Sequence, residues 1–145
     1  MIENFDKLTY ERKVDVLVAM YVFRIKDIII EHIDWSYGDG NYYKVYTKSL
    51  MVEDYISCYS TLLTNAWDVV RKFDYLYLFR SAGFKRGQWE CKLYDRKGVL
   101  KIGETNEYNY YGWAETEQLA ICYAGLKAVG FDVQAFLKEE GKNDK

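Results

Sequence analysis

Tyr59-Ser60-Thr61 leading into Ala66-Trp67-Asp68-Val69-Val70, and Trp113-Ala114-Glu115-Thr116-Glu117-Gln118-Leu119-Ala120-Ile121-Cys122 continuing to Gly125-Leu126-Lys127-Ala128-Val129-Gly130, decide the fold. Ser60 or Thr61 can cap a helix over about Leu62 to Phe73, with Leu62, Leu63, Ala66, Trp67, Val69 and Val70 as a broad apolar face. That face puts Trp67 in the core. Thr116 can cap a further helix, Glu117 to Val129, which Gly130 stops. Ala120, Ala124 and Ala128 recur every fourth residue with Gly125 beside them. Small side chains in such a row let a helix backbone come close to a sheet.

Between the two helices, Trp89-Glu90-Cys91-Lys92-Leu93-Tyr94 alternates, with Trp89, Cys91 and Leu93 on one face. Asp95-Arg96-Lys97-Gly98 makes a turn and Val99 to Thr105 returns, giving the clearest hairpin of the chain. Leu76 to Arg80 reads as a strand or a helix extension. Asn106 to Trp113 reads as an aromatic loop.

Outward from this stretch, Thr9 can cap a first helix over Tyr10 to Val22, with Val14, Leu17, Val18 and Tyr21 as one apolar stripe. Glu11, Arg12, Lys13 and Asp15 take the rest of its first turns. Asp27 to Glu31 and Tyr42 to Tyr46 read as a hairpin around the turn cluster Ser36 to Asn41. Leu50 to Cys58 reads as a connection, and Val133 to Glu139 as a short tail helix. The fold class is α+β: a layered sandwich of helices on a mostly antiparallel sheet, in a single domain. Residues 1–57 form an N-terminal helix plus a β-rich segment on the main domain, 58–140 the sandwich core, and 141–145 a disordered tail.

The chain has 145 residues, half of them hydrophobic, enough for a core without metal or disulfide staples. Twenty basic and 22 acidic residues give a net charge of −2, which offers no global attraction to nucleic acid or to an anionic membrane. Three widely spaced cysteines, Cys58, Cys91 and Cys122, argue against a disulfide framework or a zinc site. No signal peptide or spanning segment is read, so a reducing cytosol is the expected compartment.

The quoted segments resemble the phage ABA-sandwich family. The likeness rests on Tyr59-Ser60-Thr61, Ala66 to Val70, Ala114-Glu115-Thr116, Leu119 to Cys122 and Leu126 to Gly130, and covers Tyr59 to Gly130. It implies helices packed on a β-sheet and a phage origin, and it supplies no established activity or catalytic residues.

No catalytic set stands out. His32 is the only histidine, so a catalytic triad has no basis. The acidic pairs Glu31/Asp34, Glu53/Asp54 and Glu115/Glu117 match no metal-loop spacing, and Glu115 and Glu117 suffice as negative charge at a helix N-terminus. Neither catalytic residues, nor a metal site, nor a cofactor is expected. Fifteen tyrosines and four tryptophans are a heavy aromatic load. Trp113, Tyr108, Tyr110 and Tyr111 stand just before the Thr116-capped helix, where free amides can meet an anion and aromatic faces can stack a base. Arg80, Lys85 and Arg86 surround Gly83 and Gly87 as candidate phosphate contacts. The bland readings are aromatics covering a sheet end and a solvated basic loop. Trp35 to Tyr43 is a second aromatic, glycine-rich loop.

By analogy with other small phage proteins, the chain is expected to be a non-enzymatic anti-defence protein. It would sequester a nucleotide-derived signal of the ADP-ribose type in the cytoplasm of the infected host. The aromatic surplus points to a homo-oligomer, a dimer or higher. Neither nucleic acid nor membrane is expected as a partner. The alternative is a protein-interaction module that inhibits a host protein or serves phage assembly.

Overall fold

The computed structural model describes residues 2–34, 42–49, 52–73, 75–80, 88–94 and 109–143, with backbone only at 75–80, 94, 109 and 142–143. After a short 3-10 turn, Phe5–Lys7, the order is α1 (Tyr10–Tyr21), β1 (Ile29–Ile33), β2 (Tyr42–Ser49), β3 (Val52–Tyr55) and α2 (Leu63–Val70). It continues β4 (Tyr75–Arg80), β5 (Trp89–Tyr94), β6 (Asn109–Ala114), α3 (Glu117–Ala128) and α4 (Val133–Asn143). The strands form two antiparallel sheets, β1-β2-β3 and β4-β5-β6. The α+β class read from the sequence is the observed one.

α1 runs through the core. The expected stripe of Val14, Leu17 and Val18 is buried, but so are Val16, Ala19, Lys13 and Asp15. A helix covered on several sides leaves no free polar face. The stripe's last member, Tyr21, is exposed instead. Thr9 caps α1 as expected, its hydroxyl accepting from the Arg12 N–H at 3.3 Å.

Buried Asp15, only 1% exposed, is satisfied by two partners. It accepts from Arg12 Nη1 at 3.0 Å and from the Ser60 backbone N–H at 2.7 Å. Arg12 also donates from Nη2 to the Ile56 carbonyl at 2.6 Å and from Nη1 to the Ser57 carbonyl at 3.1 Å. The Ser60 hydroxyl donates to the Glu11 carbonyl at 2.8 Å. Ser60 is therefore not the cap of α2. That helix starts later, at Leu63, with Leu62 as an N-cap that makes no side-chain bond. Trp67, expected in the core, is 38% exposed, because α2 buries only Ala66, Val69 and Val70.

α3 behaves as its row of small residues predicts. A Cβ on Gly112 of β6 would come within 2.6 Å of the Ala124 amide nitrogen and closer still to the Ala120 carbonyl oxygen. Helix and strand backbones thus meet almost directly. A Cβ on Gly125 would sit 2.7 Å from Val69 Cγ1, so α3 uses a second small residue against α2. Thr116 caps α3, its hydroxyl accepting from the Leu119 N–H at 3.2 Å, and Gly130 has φ +89°, the left-handed stop that glycine permits.

Two segments read from sequence as a connection and a loop are strands, and a third, read as a strand or a helix extension, is a strand as well. Val52–Tyr55 forms β3, Leu76 to Arg80 lies in β4, and Asn109–Ala114 forms β6. The last replaces the expected aromatic loop. β5 pairs with β4 on one side and with β6 on the other, and the expected return strand at 99–105 lies outside the described residues. α4 extends to Asn143, so Gly141 to Asn143, assigned by composition to a disordered tail, are helical.

Candidate functional site

β6 carries the site because its two faces differ. Gly112 and Ala114 turn to α3, and Ala114 is buried. Tyr111 and Trp113 alternate to the other face. Their rings lie nearly parallel, with centroids 5.7 Å apart and planes at 8°. Lys127 of α3 holds its Nζ 5.1 Å from the Trp113 ring centre, and Lys92 of β5 holds its Nζ 5.7 Å from that of Tyr111. Cations at this distance are attracted to the negative ring face.

Trp113 stands in the wall of a cavity of about 380 Å³, a volume suited to a small-molecule ligand. α1 contributes Tyr10 and Glu11; Gln88 precedes β5; Ala114 and Glu115 follow Trp113. α3 supplies Leu119, Tyr123 and Lys127, and α4 closes the wall with Val133, Gln134 and Leu137. The Tyr10 and Tyr123 hydroxyls are hydrogen-bonded to each other, and Tyr10 stacks on Phe136 of α4 at 5.8 Å. Burial pushes both phenols above their ordinary pKa. They are neutral hydrogen-bonding groups in this wall and poor general bases. α4 is also held by an ion pair from Lys13 to Glu140 at 3.0 Å.

Of the residues singled out from sequence, Trp113 lies in this wall and Tyr111 stacks beside it. Thr116 serves as helix cap between two wall residues, Glu115 and Leu119. Tyr110 pairs in register with Leu93 and is half-buried. Arg80 ends β4 opposite Trp89, which in turn pairs with Ala114, so its backbone lies at the cavity end of the sheet. Lys85, Arg86 and Tyr108, like most of the Trp35–Tyr43 loop, are outside the described residues.

Sequence reading missed Tyr10, Tyr123, Lys127, Gln134 and Leu137. One signal was available. Leu119, Tyr123 and Lys127 form an i, i+4, i+8 row directly beside the alanine row, so a helix pressed on a strand by its alanines presents them along the strand's edge.

Buried thiols are not reactive groups here. Burial pushes Cys91 up to about 12 and holds Cys122 well above its ordinary value. Among the described residues no group of three or more His, Cys, Asp or Glu is arranged to hold a metal ion, and no helix is long and apolar enough to cross a membrane.

A phage protein from Bacillus cereus ATCC 14579, known from its crystal structure, is similar in fold. It is 22% identical, the match covers 88% of this chain and 94% of that one, and the TM-score is 0.54. A comparison with curated proteins gives no match. The family model described as phage ABA sandwich domain matches residues 16–126, which run from the middle of α1 through most of α3. The chain belongs to the phage ABA sandwich domain family.

Proposed function

We propose that this protein is a phage-encoded anti-defence protein of the host cytoplasm that sequesters a nucleotide-derived signal of the ADP-ribose type without cleaving it. The observation that carries the reading is Trp113, flanked by Tyr111 and Lys127, in the wall of a ligand-sized cavity. An indole can stack an adenine, worth ~1–3 kcal/mol. Tyr10, Tyr123, Gln88 and Gln134 supply neutral hydrogen-bonding groups, and the carboxylates Glu11 and Glu115 suit ribose hydroxyls. Those two acids outnumber Lys127, the cation in the described wall. A pyrophosphate there needs further positive charge. Arg80, Lys85 and Arg86 are its proposed source, since their segment leads into Gln88.

Calorimetry tests the reading with ADP-ribose-type and cyclic dinucleotide ligands against the wild type, Trp113→Ala, Lys127→Ala and Arg86→Ala. Binding by the wild type is expected, with Trp113→Ala weaker by ~1–3 kcal/mol and Arg86→Ala by about 1.5–3 kcal/mol. Heat denaturation of the complex should release intact ligand; altered ligand indicates an enzyme. Binding to none of these ligands removes the reading.

A second reading, a protein-interaction module, is favoured by Val52 and Tyr55 on the edge strand β3, both about 60% exposed. Pairing of such surfaces between copies would make a homo-oligomer, which concentration-dependent light scattering checks.

A further inference from the structure

A second cavity, of about 470 Å³, lies between the start of α1, β2 and the end of β3. It shares no wall residue with the Trp113 cavity. Lys7 and Arg12 stand in its wall with three tyrosines, Tyr42, Tyr43 and Tyr55, and with Cys58. Leu8, Val45 and Ile56 make the apolar part, and no described wall residue is acidic.

Arg12 is pre-positioned. Its guanidinium is held by Asp15 at 3.0 Å, by the Ser57 carbonyl at 3.1 Å and by the Ile56 carbonyl at 2.6 Å. Those bonds take three of its five N–H donors. A guanidinium fixed this way loses little further freedom when it meets an anion. Asp15 lies buried behind it and offsets its charge. The net positive charge of the wall is therefore about that of Lys7, which suits one negative group better than a pyrophosphate. The phenols and the aliphatic floor suit a flat ring, whose apolar body they cover while their hydroxyls reach its polar edge.

We infer that this cavity is a second ligand site, for a small aromatic ring carrying one anionic group, a phosphate monoester or a carboxylate. The anion meets Lys7 and Arg12, and the ring lies among Tyr42, Tyr43 and Tyr55.

The test uses the full chain and four probes: phenyl phosphate, benzoate, phenol and inorganic phosphate. Calorimetry should show saturable binding of phenyl phosphate or benzoate, and the better of the two identifies the anionic group. Phenol and inorganic phosphate should each bind about tenfold more weakly, since each lacks half of the recognised chemistry. Lys7→Glu and Tyr55→Ala, both at exposed positions, should each weaken the aromatic anion by about tenfold and leave the melting temperature unchanged. Cys58 locates the site, because Cys91 and Cys122 are buried and Cys58 is partly exposed. Its labelling by a thiol reagent should slow with the same concentration dependence. Trp113→Ala should leave all of this intact, which separates the result from the fate of the nucleotide cavity. No binding of either aromatic anion overturns the inference. So does inorganic phosphate binding as well as phenyl phosphate, or binding that Lys7→Glu and Tyr55→Ala both leave unchanged.

Discussion

The two sheets are fastened to the helices by different physics. β4-β5-β6 is joined by close approach: Gly112 lets α3 lie on β6 with no side chain between, and Cys91 and Leu93 are fully buried beneath. β1-β2-β3 shares the apolar core through Ile30 and Val45 and is tied to α1 in addition by charge and backbone hydrogen bonds. Arg12 and Asp15 of α1 hold Ile56, Ser57 and Ser60, the chain that leaves β3, and Asn4 donates from Nδ2 to the Ile30 carbonyl at 3.0 Å. All four residues of the edge strand β3 remain exposed. A contact made by absence of atoms fails when atoms are added. A contact made by buried charge fails when one partner is removed.

Asp15→Ala should have the largest effect. It leaves the Arg12 guanidinium without its counter-ion and the Ser60 N–H without an acceptor, and should cost about 3–5 kcal/mol in denaturant unfolding. Asp15→Asn keeps an acceptor for Ser60 and should cost less. If Asp15→Ala is as stable as the wild type, the first sheet is not held by this network. Gly112→Ala should follow, at about 1–3 kcal/mol, because both clashing atoms are backbone and the helix itself must shift. A loss below ~0.5 kcal/mol would mean that α3 and β6 stand further apart than described.

Alkaline pH should weaken the fold, with Cys91 of the second sheet among the groups responsible. Cys91 is raised to about 12 by burial, so the folded state keeps a proton that the unfolded chain releases above its ordinary value of 9.0. Its contribution is complete below that value and is lost as pH rises toward 12. The slope is about 1.4 kcal/mol per pH unit for each such group. Cys122, Tyr10 and Tyr123 act in the same direction. Urea midpoints between pH 8 and pH 11 measure it, and Cys91→Ala should flatten the fall. The smallest effect belongs to β3: Tyr55→Ala, at a side chain 62% exposed, should stay within ~0.5 kcal/mol. A larger loss in dilute solution, recovered at high protein concentration, would reveal that β3 is covered in an oligomer.

What the sequence made legible follows the same division. Thr9, Thr116 and Gly130 were readable because a cap and a stop are local, needing only neighbours within four residues. The alanine row and Gly125 were readable because helical period reports a close contact without naming the partner. β6 escaped because Asn109-Tyr110-Tyr111-Gly112-Trp113-Ala114 has aromatics of both parities and a glycine that imitates a turn. That glycine serves close approach instead. Ser60 misled because its hydroxyl donates to Glu11, 49 residues away in sequence, and does not cap the helix beside it. The Trp113 cavity was legible only at Trp113. Its other walls come from both ends of the chain, and no local pattern joins Tyr10 to Tyr123.

The position of α4 bears on how the Trp113 cavity is divided along the chain. The family match closes at residue 126, whereas Val133, Gln134 and Leu137 lie beyond it and Tyr10 lies before it. One side of the Trp113 cavity is therefore built from the shared segment and the other from flanking sequence. A change in the flanks can therefore alter one wall of this cavity and leave the matched segment untouched.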